Sequence, residues 1–287
     1  MVKWFILGAF IIALIWAIFW LIKFYIGSKA LVETFSDGNV ITYGKKGSGK
    51  DVINNKVINA RKEPCYANIP FNKEYCVEKD IKEFSVEPNT FEDILENRVK
   101  VIKKNNKEKC DYYISDGGIF LPSQYSNRLI KDYPSLPIYY ALSRHLTNSN
   151  IHINTQYLGR VWDKLREQSA YYVRAIKTRK FLVFKYDPEK EKQTKWDRIK
   201  IYITKHIGFL VTEFIIYDNY ASAMSELRPY KATGLITHSE SRANREDFEA
   251  KHGSVKRYFI AQYVRHIYYD TRHFHRRFYG YNSPDSI

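Results

Sequence analysis

Residues 39–51 have the sequence NVITYGKKGSGKD, and this segment decides the fold class of the chain. Residues 39–43 have the pattern of a buried strand, residues 44–50 form a glycine-rich turn, and residues 51–62 have the pattern of a helix. A strand, a glycine-rich turn and a helix in this order form the first βα unit of an α/β domain. We therefore predict an α/β fold built on a central, mostly parallel sheet.

The turn has the spacing of a P-loop, with four residues between Gly44 and Gly49 and a lysine, Lys50, directly after. In a P-loop the backbone N–H groups surround the phosphates, while the lysine reaches the β- and γ-phosphate oxygens. The alternative is a basic strand-to-helix turn that is rich in glycine for structural reasons. The predicted nucleotide-binding residues are Gly44, Lys45, Lys46, Gly47, Ser48, Gly49, Lys50 and Asp51.

Metal binding is harder to predict, because Asp51 occupies the position where a Ser or Thr usually holds Mg²⁺. A carboxylate oxygen can ligate magnesium, but it also adds negative charge beside the phosphates. The second expected ligand is Asp116, which follows the predicted strand at 110–115 and would hold Mg²⁺ there. An ordinary turn or helix-cap role for Asp116 is the alternative. The next residue is Gly117, so the glutamate that often polarises the attacking water is missing.

Further predictions concern the later strands and helices. Residues 137–146 are expected to form a helix, and residues 151–155 a strand that ends beside Gln156. Gln156 is either a sensor of the γ-phosphate or an ordinary surface residue. Residues 170–176 are expected to form another strand, and residues 181–186 and 198–204 a β-hairpin.

An apolar segment at residues 4–22 carries no charge and is expected to form a single transmembrane helix. At 1.5 Å per residue it is about 29 Å long, close to the hydrocarbon thickness of a bilayer. A cleaved signal peptide is the alternative, but the residues after it fit a cleavage site poorly. More lysines follow the segment than precede it, which favours a cytoplasmic C-terminal body. The predicted division is an anchor at 1–27, an ATPase domain at 28–230 and a tail at 231–287, with a short connector after the anchor.

The charge of the chain points to an anionic partner. Forty-six Lys and Arg residues against 31 Asp and Glu residues give a formal charge of +15, while 45% hydrophobic residues exclude wholesale disorder. Residues 256–279 interleave basic and aromatic side chains more densely than any other segment. This composition suits single-stranded nucleic acid, an anionic membrane surface, or a helix packed against the domain or another subunit.

These motifs occur together in an order that resembles the zonula occludens toxin-like (Zot-like) ATPases of filamentous phages, in the FtsK/HerA group of P-loop motors. The likeness covers about residues 38–225. The segments that carry it are GKKGSGKD at 44–51, CYANIPF at 65–71, YYISDGGIFLPS at 112–123, ALSRHLTNSNIHINTQYLGRVWDKLREQSAYYVRA at 141–175 and FIIYDNYASA at 214–223. Familiar members place their membrane helix after the ATPase domain, whereas here it comes first.

The resemblance implies assembly and extrusion of a filamentous virion at the host inner membrane, powered by ATP with Mg²⁺ and supplied with single-stranded DNA. A homo-oligomeric ring and phage coat or export proteins are the expected partners. The resemblance assigns phosphate binding to Lys50, Mg²⁺ to Asp116 and γ-phosphate sensing to Gln156. Arg166 would be structural or serve a neighbouring subunit. The pair Arg144 and His145 matches the family as well, although a polar pair at a helix end explains it equally. A nucleotide-binding scaffold without hydrolysis and a plasmid or packaging DNA translocase are the alternatives.

Overall fold

The computed structural model describes residues 2–61, 63–69, 71, 73–83, 92–96, 109–123, 126–184, 194–225 and 256–264. The strands are β1 (Val40–Tyr43), β2 (Cys65–Ala67), β3 (Ile81–Glu83), β4 (Asp111–Ile114), β5 (Ile151–Thr155), β6 (Tyr171–Phe181), β7 (Phe209–Tyr217) and β8 (Arg257–Tyr263). The helices are α1 (Val2–Asp37), α2 (Lys50–Ala60), α3 (Lys73–Glu78), α4 (Gly117–Phe120), α5 (Ser126–Asp132), α6 (Leu136–Ala141), α7 (Ser143–Leu146), α8 (Asp163–Glu167), α9 (Lys195–His206) and α10 (Tyr220–Ser225). Residues 92–96 are also helical, and a 3₁₀ turn spans Leu158–Arg160.

The strands form one sheet in the order β3-β2-β4-β5-β1-β6-β7-β8. The six strands from β3 to β6 are parallel, whereas β7 and β8 are antiparallel to their neighbours. The predicted α/β fold with a mostly parallel sheet is therefore confirmed. β1 lies between β5 and β6, so the turn that follows β1 opens at the carboxyl edge of the parallel strands. Ligands of open α/β sheets bind at this edge.

Two hydrophobic cores cover the two faces of the sheet, because side chains alternate along each strand. Ile41 and Tyr43 of β1 belong to the core that also contains Leu136 of α6 and Leu165 of α8. Val40 belongs to the opposite core, which contains the buried side of α2 and the C-terminal end of α1. The helix that follows the P-loop is therefore packed on the same face as the end of the N-terminal helix.

Helix α1 is continuous over 36 residues, so the predicted connector after the anchor is wrong. Its large apolar side chains between Trp4 and Ile26 are mostly exposed, whereas Leu31 and Phe35 are fully buried. The length and hydropathy of the apolar part suffice to cross a membrane, although a signal sequence or a core helix has the same properties. The buried last turns explain the missing connector, because they pack directly on the sheet. The domain boundaries at 27/28 and 230/231 stay predictions.

The last carbonyl groups of α1, which have no partner within the helix, are bound by side chains of the sheet domain. Arg61 donates to Phe35 O over 2.7 Å, Asn150 donates to Ser36 O over 3.0 Å, and Arg144 donates to Asp37 O over 2.5 Å. Cationic groups at a helix C-terminus also interact favourably with the helix dipole. These partners lie directly after α2, in α7 and directly before β5, so α1 is fixed to the sheet domain at several points.

Below this helix end lies a buried ion pair between Arg61 and Asp111, whose side chains are 9% and 2% exposed. Asp111 also accepts a hydrogen bond from the backbone N–H of Asn150 over 2.7 Å. His152 is packed between the rings of Phe35 and Tyr113, with centroid distances of 4.7 and 4.9 Å. Burial lowers the pKa of His152 well below its usual value, and the charges of Arg61 and Lys109 lower it further.

We expect this histidine to make the fold sensitive to mild acid. Its pKa is lower in the folded chain than in the unfolded chain, so below pH ~6.5 the unfolded chain binds a proton that the folded chain does not. The free energy of unfolding should then fall by up to about 1.4 kcal/mol per pH unit. This effect is measured by thermal unfolding of the detergent-solubilised protein at about pH 7.5 and at about pH 5.5. The same comparison is made for a His152→Phe variant. Equal pH dependence in both proteins would contradict it.

Two sequence-based assignments of secondary structure are wrong. Residues 198–204 belong to helix α9 and not to a hairpin strand. Thr194 caps this helix, because its hydroxyl accepts from Asp197 N while Asp197 accepts from Thr194 N, and this capping box favours a helix. Residues 257–263, at the start of the basic aromatic segment, form β8 of the sheet and not the helix that was one interpretation of this segment. The rest of the basic aromatic segment, from residue 265 onward, lies outside the described residues.

Candidate functional site

The predicted P-loop forms a closed turn between β1 and α2. Gly49 has a φ of 104°, in the left-handed region, and a Cβ at this position would lie 2.0 Å from Thr178 Oγ1. Only glycine satisfies both conditions. The backbone N–H of Ser48 donates to Lys45 O over 3.1 Å, and Ile53 N donates to Gly49 O over 3.0 Å, which joins the turn to the first turn of α2.

Lys50 is the last residue of this turn and the first residue of α2, and it is buried. Its Nζ donates to Gly44 O over 3.0 Å and to Lys45 O over 3.3 Å, so the ammonium group is enclosed by the loop backbone. Burial lowers the pKa of Lys50, while the nearby carboxylates Asp51 and Asp116 act in the opposite direction. An ammonium group held in this way is positioned to exchange loop carbonyls for the oxygens of a phosphate. The side chains of Lys45 and Lys46 are exposed on the same turn.

Two threonines on β6 and β7, which were not identified from the sequence, stabilise the turn from the side of the sheet. The hydroxyl group of Thr178 in β6 donates a hydrogen bond to Ser48 O over 2.9 Å. Its Oγ1 also lies 2.8 Å from the Oγ1 of Thr212 in β7. The strand register pairs these two residues directly. The predicted strand ended at residue 176, whereas β6 continues to Phe181, so Thr178 carried no recognisable signal.

Two carboxylates lie near Lys50, as the prediction of a metal site requires. The pKa of Asp51 is raised, because surrounding protein removes water from its carboxyl group and because Asp116 is close, while Lys50 lowers it. Burial also raises the pKa of Asp116, against the opposing effects of Lys50 and a hydrogen bond with Ser115. A divalent cation would neutralise the repulsion between these two groups.

The amide of Asn154 provides a further oxygen at this position, which the sequence analysis did not identify. Its Nδ2 donates to Asp51 Oδ1 over 3.4 Å, while its Oδ1 is buried and has no hydrogen-bond partner in the described part of the chain. The hydroxyl of Ser48 is also buried and unpaired within the same residues. Buried polar groups rarely stay unsatisfied, so both atoms fit a site that takes an additional polar ligand. An asparagine near the carboxyl end of a strand with alternating isoleucines was the available signal.

Asp116 is held at the end of β4 by a neighbouring strand end. Asn68, which follows β2, accepts from Ser115 N over 2.5 Å and donates to Ser115 O over 3.3 Å. Directly after Asp116, helix α4 packs against β5 so closely that a Cβ at Gly117 would lie 2.2 Å from Ile153 Cγ2. A glutamate at position 117 therefore requires Ile153 and α4 to move. A Gly117→Glu exchange would therefore disturb this packing and is an unsuitable test of the site.

Gln156 lies at the correct edge of the sheet. Strand pairing sets Thr155 beside Tyr43, so Gln156, the next residue, follows β5 at the level where the P-loop begins. Its side chain is exposed. The position agrees with a group that faces a bound γ-phosphate.

The other predicted residues lie elsewhere. The guanidinium of Arg166 is 4.9 Å from the ring centroid of Tyr220, on the face of the sheet opposite α2. Arg144 binds the C-terminus of α1, and His145 lines a cavity of about 390 Å³ next to it, together with Ser36 and Lys109. Arg144, His145 and Arg166 belong to the short helices that precede β5 and β6. They therefore lie near the amino edge of the parallel strands, away from the P-loop. For Arg144, the structural interpretation as a polar residue at a helix end agrees with these contacts.

Comparison with known proteins gives similarities in solved structures only. No protein-family model matches the chain, and no curated protein does. The genome packaging NTPase B204 from Sulfolobus turreted icosahedral virus 2, in complex with AMPPCP, has 13% identity and a TM-score of 0.39, covering 64% of this chain and 93% of that chain. The N-terminal domain of zonular occludens toxin from Neisseria meningitidis has 10% identity and a TM-score of 0.37, covering 67% and 90%.

A third similar structure contains ATPases 2 and 3 of EssC from Geobacillus thermodenitrificans, with 11% identity and a TM-score of 0.34 over 49% of this chain and 32% of that chain. None of these similarities assigns a function to this chain. The evidence for nucleotide binding is the geometry of the turn between β1 and α2. Membership of the Zot-like family stays a prediction.

Proposed function

We propose that this chain is a membrane-anchored P-loop ATPase that moves single-stranded DNA during assembly and extrusion of a filamentous virion. The observation that carries the proposal is the enclosure of the Lys50 ammonium by Gly44 O and Lys45 O. This group lies at the sheet edge where Asp116 follows β4, two strands away from β1. This arrangement provides a cationic group, a closed loop and a carboxylate for a nucleotide phosphate with its metal ion.

ATP with Mg²⁺ fits the residues present. The unpaired Ser48 hydroxyl and the loop N–H groups suit phosphate oxygens, and Lys50 provides the positive charge. Asp51, Asp116 and the free amide oxygen of Asn154 would hold Mg²⁺, which prefers oxygen ligands. When bound, the ion neutralises charge on the β- and γ-phosphates. Gln156 would face the γ-phosphate and orient the attacking water.

The proposed location is the host inner membrane, with one transmembrane helix and a cytoplasmic C-terminal body. The exposed apolar part of α1 supports the membrane helix, because it is not covered by the domain. A cytoplasmic body also has access to ATP. Helix α1 passes into the sheet domain without a break, so any movement of the domain is mechanically linked to the membrane helix.

The proposed cargo and partners rest on charge and on the resemblance of the sequence to the Zot-like family. The surface around Lys177, which is exposed on β6 just beyond the P-loop, would contact a phosphate backbone. A homo-oligomeric ring would place this surface around a strand of DNA, with phage coat or export proteins as further partners. Arg166 would then serve either its own domain or a neighbouring subunit.

A second candidate, a nucleotide-binding scaffold or gate of the export complex without hydrolysis, is favoured by one observation. The packing of Gly117 against Ile153 leaves no position for the usual catalytic glutamate. Such a protein would bind ATP through the same loop and use it as a structural ligand.

The proposed function is tested with the full chain reconstituted in lipid nanodiscs. We expect ATP turnover to rise about tenfold on addition of single-stranded DNA, because an ATPase coupled to a DNA track is activated by it. Nanodiscs with duplex DNA of the same length are the cargo control. ATP binding without turnover, with or without DNA, would support the scaffold. Stimulation by duplex DNA alone would instead support the packaging or plasmid translocase.

A further inference from the structure

Helix α9 carries exposed apolar side chains beside basic ones. Trp196 is 72% exposed, and Ile199 and Ile207 are 47% and 49% exposed at helical spacing from it. Tyr202, at 62%, and the strand-end residues Phe181 and Leu182 extend this surface. We call these six residues the α9 patch. Lys195, Arg198 and Lys200 are exposed around it. Apolar patches of this kind on a folded domain usually mark an interaction surface.

The position of the α9 patch follows from the way α1 packs along β8. A Cβ at Gly27 would lie 2.1 Å from Phe259 O, and the ring of Trp20 is 5.5 Å from that of Phe259. Further along the helix, Ala30 and Thr34 share a cavity with residues 256 and 258, at the start of β8. Higher residue numbers in α1 therefore lie beside lower numbers in β8. The exposed apolar segment before Trp20 consequently extends toward the carboxyl end of β8, at Tyr263.

The α9 patch lies at this same end of the sheet. Tyr263 pairs with Phe209, the first residue of β7, which closely follows the last residue of α9, His206. The backbone N–H of Phe184 donates to Thr204 Oγ1 over 3.0 Å, which fixes α9 to the end of β6. The apolar part of α1 and the α9 patch thus project from the sheet in one direction.

We infer that the α9 patch rests in the interface of the bilayer that α1 crosses, with its lysines and arginine against anionic lipid headgroups. The inference rests on the membrane anchor of the proposed function. Tryptophan and tyrosine favour the interfacial region, while isoleucines gain by leaving water. Binding to bases of single-stranded DNA would use the aromatic rings but would leave Ile199 and Ile207 without a role. A lipid surface accounts for both types of side chain and for the basic residues.

This second attachment would fix the orientation of the ATPase relative to the membrane. β8 runs in the same direction as β1, because β6 is parallel to β1 and each of β7 and β8 reverses direction. The carboxyl edge of the sheet, where the P-loop lies, therefore faces the bilayer. Nucleotide-driven movement at this edge would act close to the membrane surface.

Tryptophan fluorescence in vesicles tests the inference on the full chain. The protein is reconstituted in vesicles of phosphatidylcholine and phosphatidylglycerol, roughly seven to three, that contain lipids brominated near the carbonyl end of the acyl chain. The signal of Trp196 is the difference between wild type and Trp196→Phe, and that of Trp16 is the difference from Trp16→Phe. We expect bromine to reduce the Trp196 signal about twofold, as for a side chain seated in the interface.

Charge dependence provides the matched control. An Arg198→Glu/Lys200→Glu variant should lose most of the Trp196 quenching, because the exposed cations beside Trp196 no longer attract anionic headgroups. Lys131→Glu/Lys164→Glu changes the net charge equally on exposed positions of α5 and α8, and it should keep the quenching.

Trp16 quenched by bromine with Trp196 unaffected would overturn the inference and leave the anchor intact. Neither residue quenched would refute the anchor and the inference together. A Trp196 signal that single-stranded DNA changes while bromine does not would assign the surface to nucleic acid and overturn the inference as well.

Discussion

Replacing Lys50 by alanine is expected to lower ATP turnover by about 10²–10³-fold, the usual effect of removing one preorganised electrostatic group from a reaction site. Lys50 is the cation whose ammonium group the loop carbonyls enclose, at 3.0 and 3.3 Å, and it is buried. Without it, the phosphates of a nucleotide would face Asp51 and Asp116 with no fixed positive charge between them. Affinity for ATP, measured by calorimetry, should fall together with turnover.

The fold should survive this exchange. The exchange removes the hydrogen bonds from Lys50 to Gly44 O and Lys45 O, but it also removes the cost of burying a charged group, which the lowered pKa of Lys50 reflects. We expect an unchanged or slightly higher melting temperature. Lys46→Ala removes an exposed charge from the same loop and should reduce turnover less than about fivefold. Equal turnover in wild type and Lys50→Ala would refute the ATPase, and equal ATP affinity would refute nucleotide binding by this loop.

Replacing Arg61 by methionine is expected to destabilise the fold by about 3–5 kcal/mol, the cost of leaving one charge of a buried pair without its partner. Asp111 is only 2% exposed and would remain under the end of α1 as a buried carboxylate without its cation, with the Nε2 of His152 at 3.9 Å from its Oδ2. The exchange also removes the hydrogen bond from Arg61 to Phe35 O, which helps to attach α1 to the domain. Chemical unfolding of the detergent-solubilised protein, followed by circular dichroism, measures the loss.

A double variant separates the charge effect from the loss of packing. In Arg61→Met/Asp111→Asn neither charge remains, and the oxygen of the new asparagine can still accept from Asn150 N. We expect this variant to recover to within about 2 kcal/mol of wild type. In the single variant, loss of the Arg61 charge should also raise the pKa of His152, because Arg61 is one cause of its depression. A single variant as stable as wild type, or a double variant no better than the single one, would contradict the buried ion pair.

The site was predicted from sequence only in part. The turn at 44–50 could be predicted because its glycines, its lysine and the flanking strand and helix are adjacent in sequence. Asn154 and Thr178 could not be assigned, since their roles depend on contacts with Asp51 and Ser48 that join distant segments. Arg166 matched a family pattern, yet its contact with Tyr220 on the other face of the sheet depends on how α8 packs.

Local patterns by themselves determined the α/β class, the phosphate-binding turn and the apolar N-terminal helix, because each depends on neighbouring residues and their periodicity. The capping box at Thr194 was also present in the sequence, but the alternation of side chains was interpreted as a strand. Only the tertiary structure decided that α1 continues into the core, that residues 257–263 complete the sheet, and that Gly117 has no room for a side chain. These features depend on strand register and on the close approach of segments far apart in sequence, which local propensity does not specify.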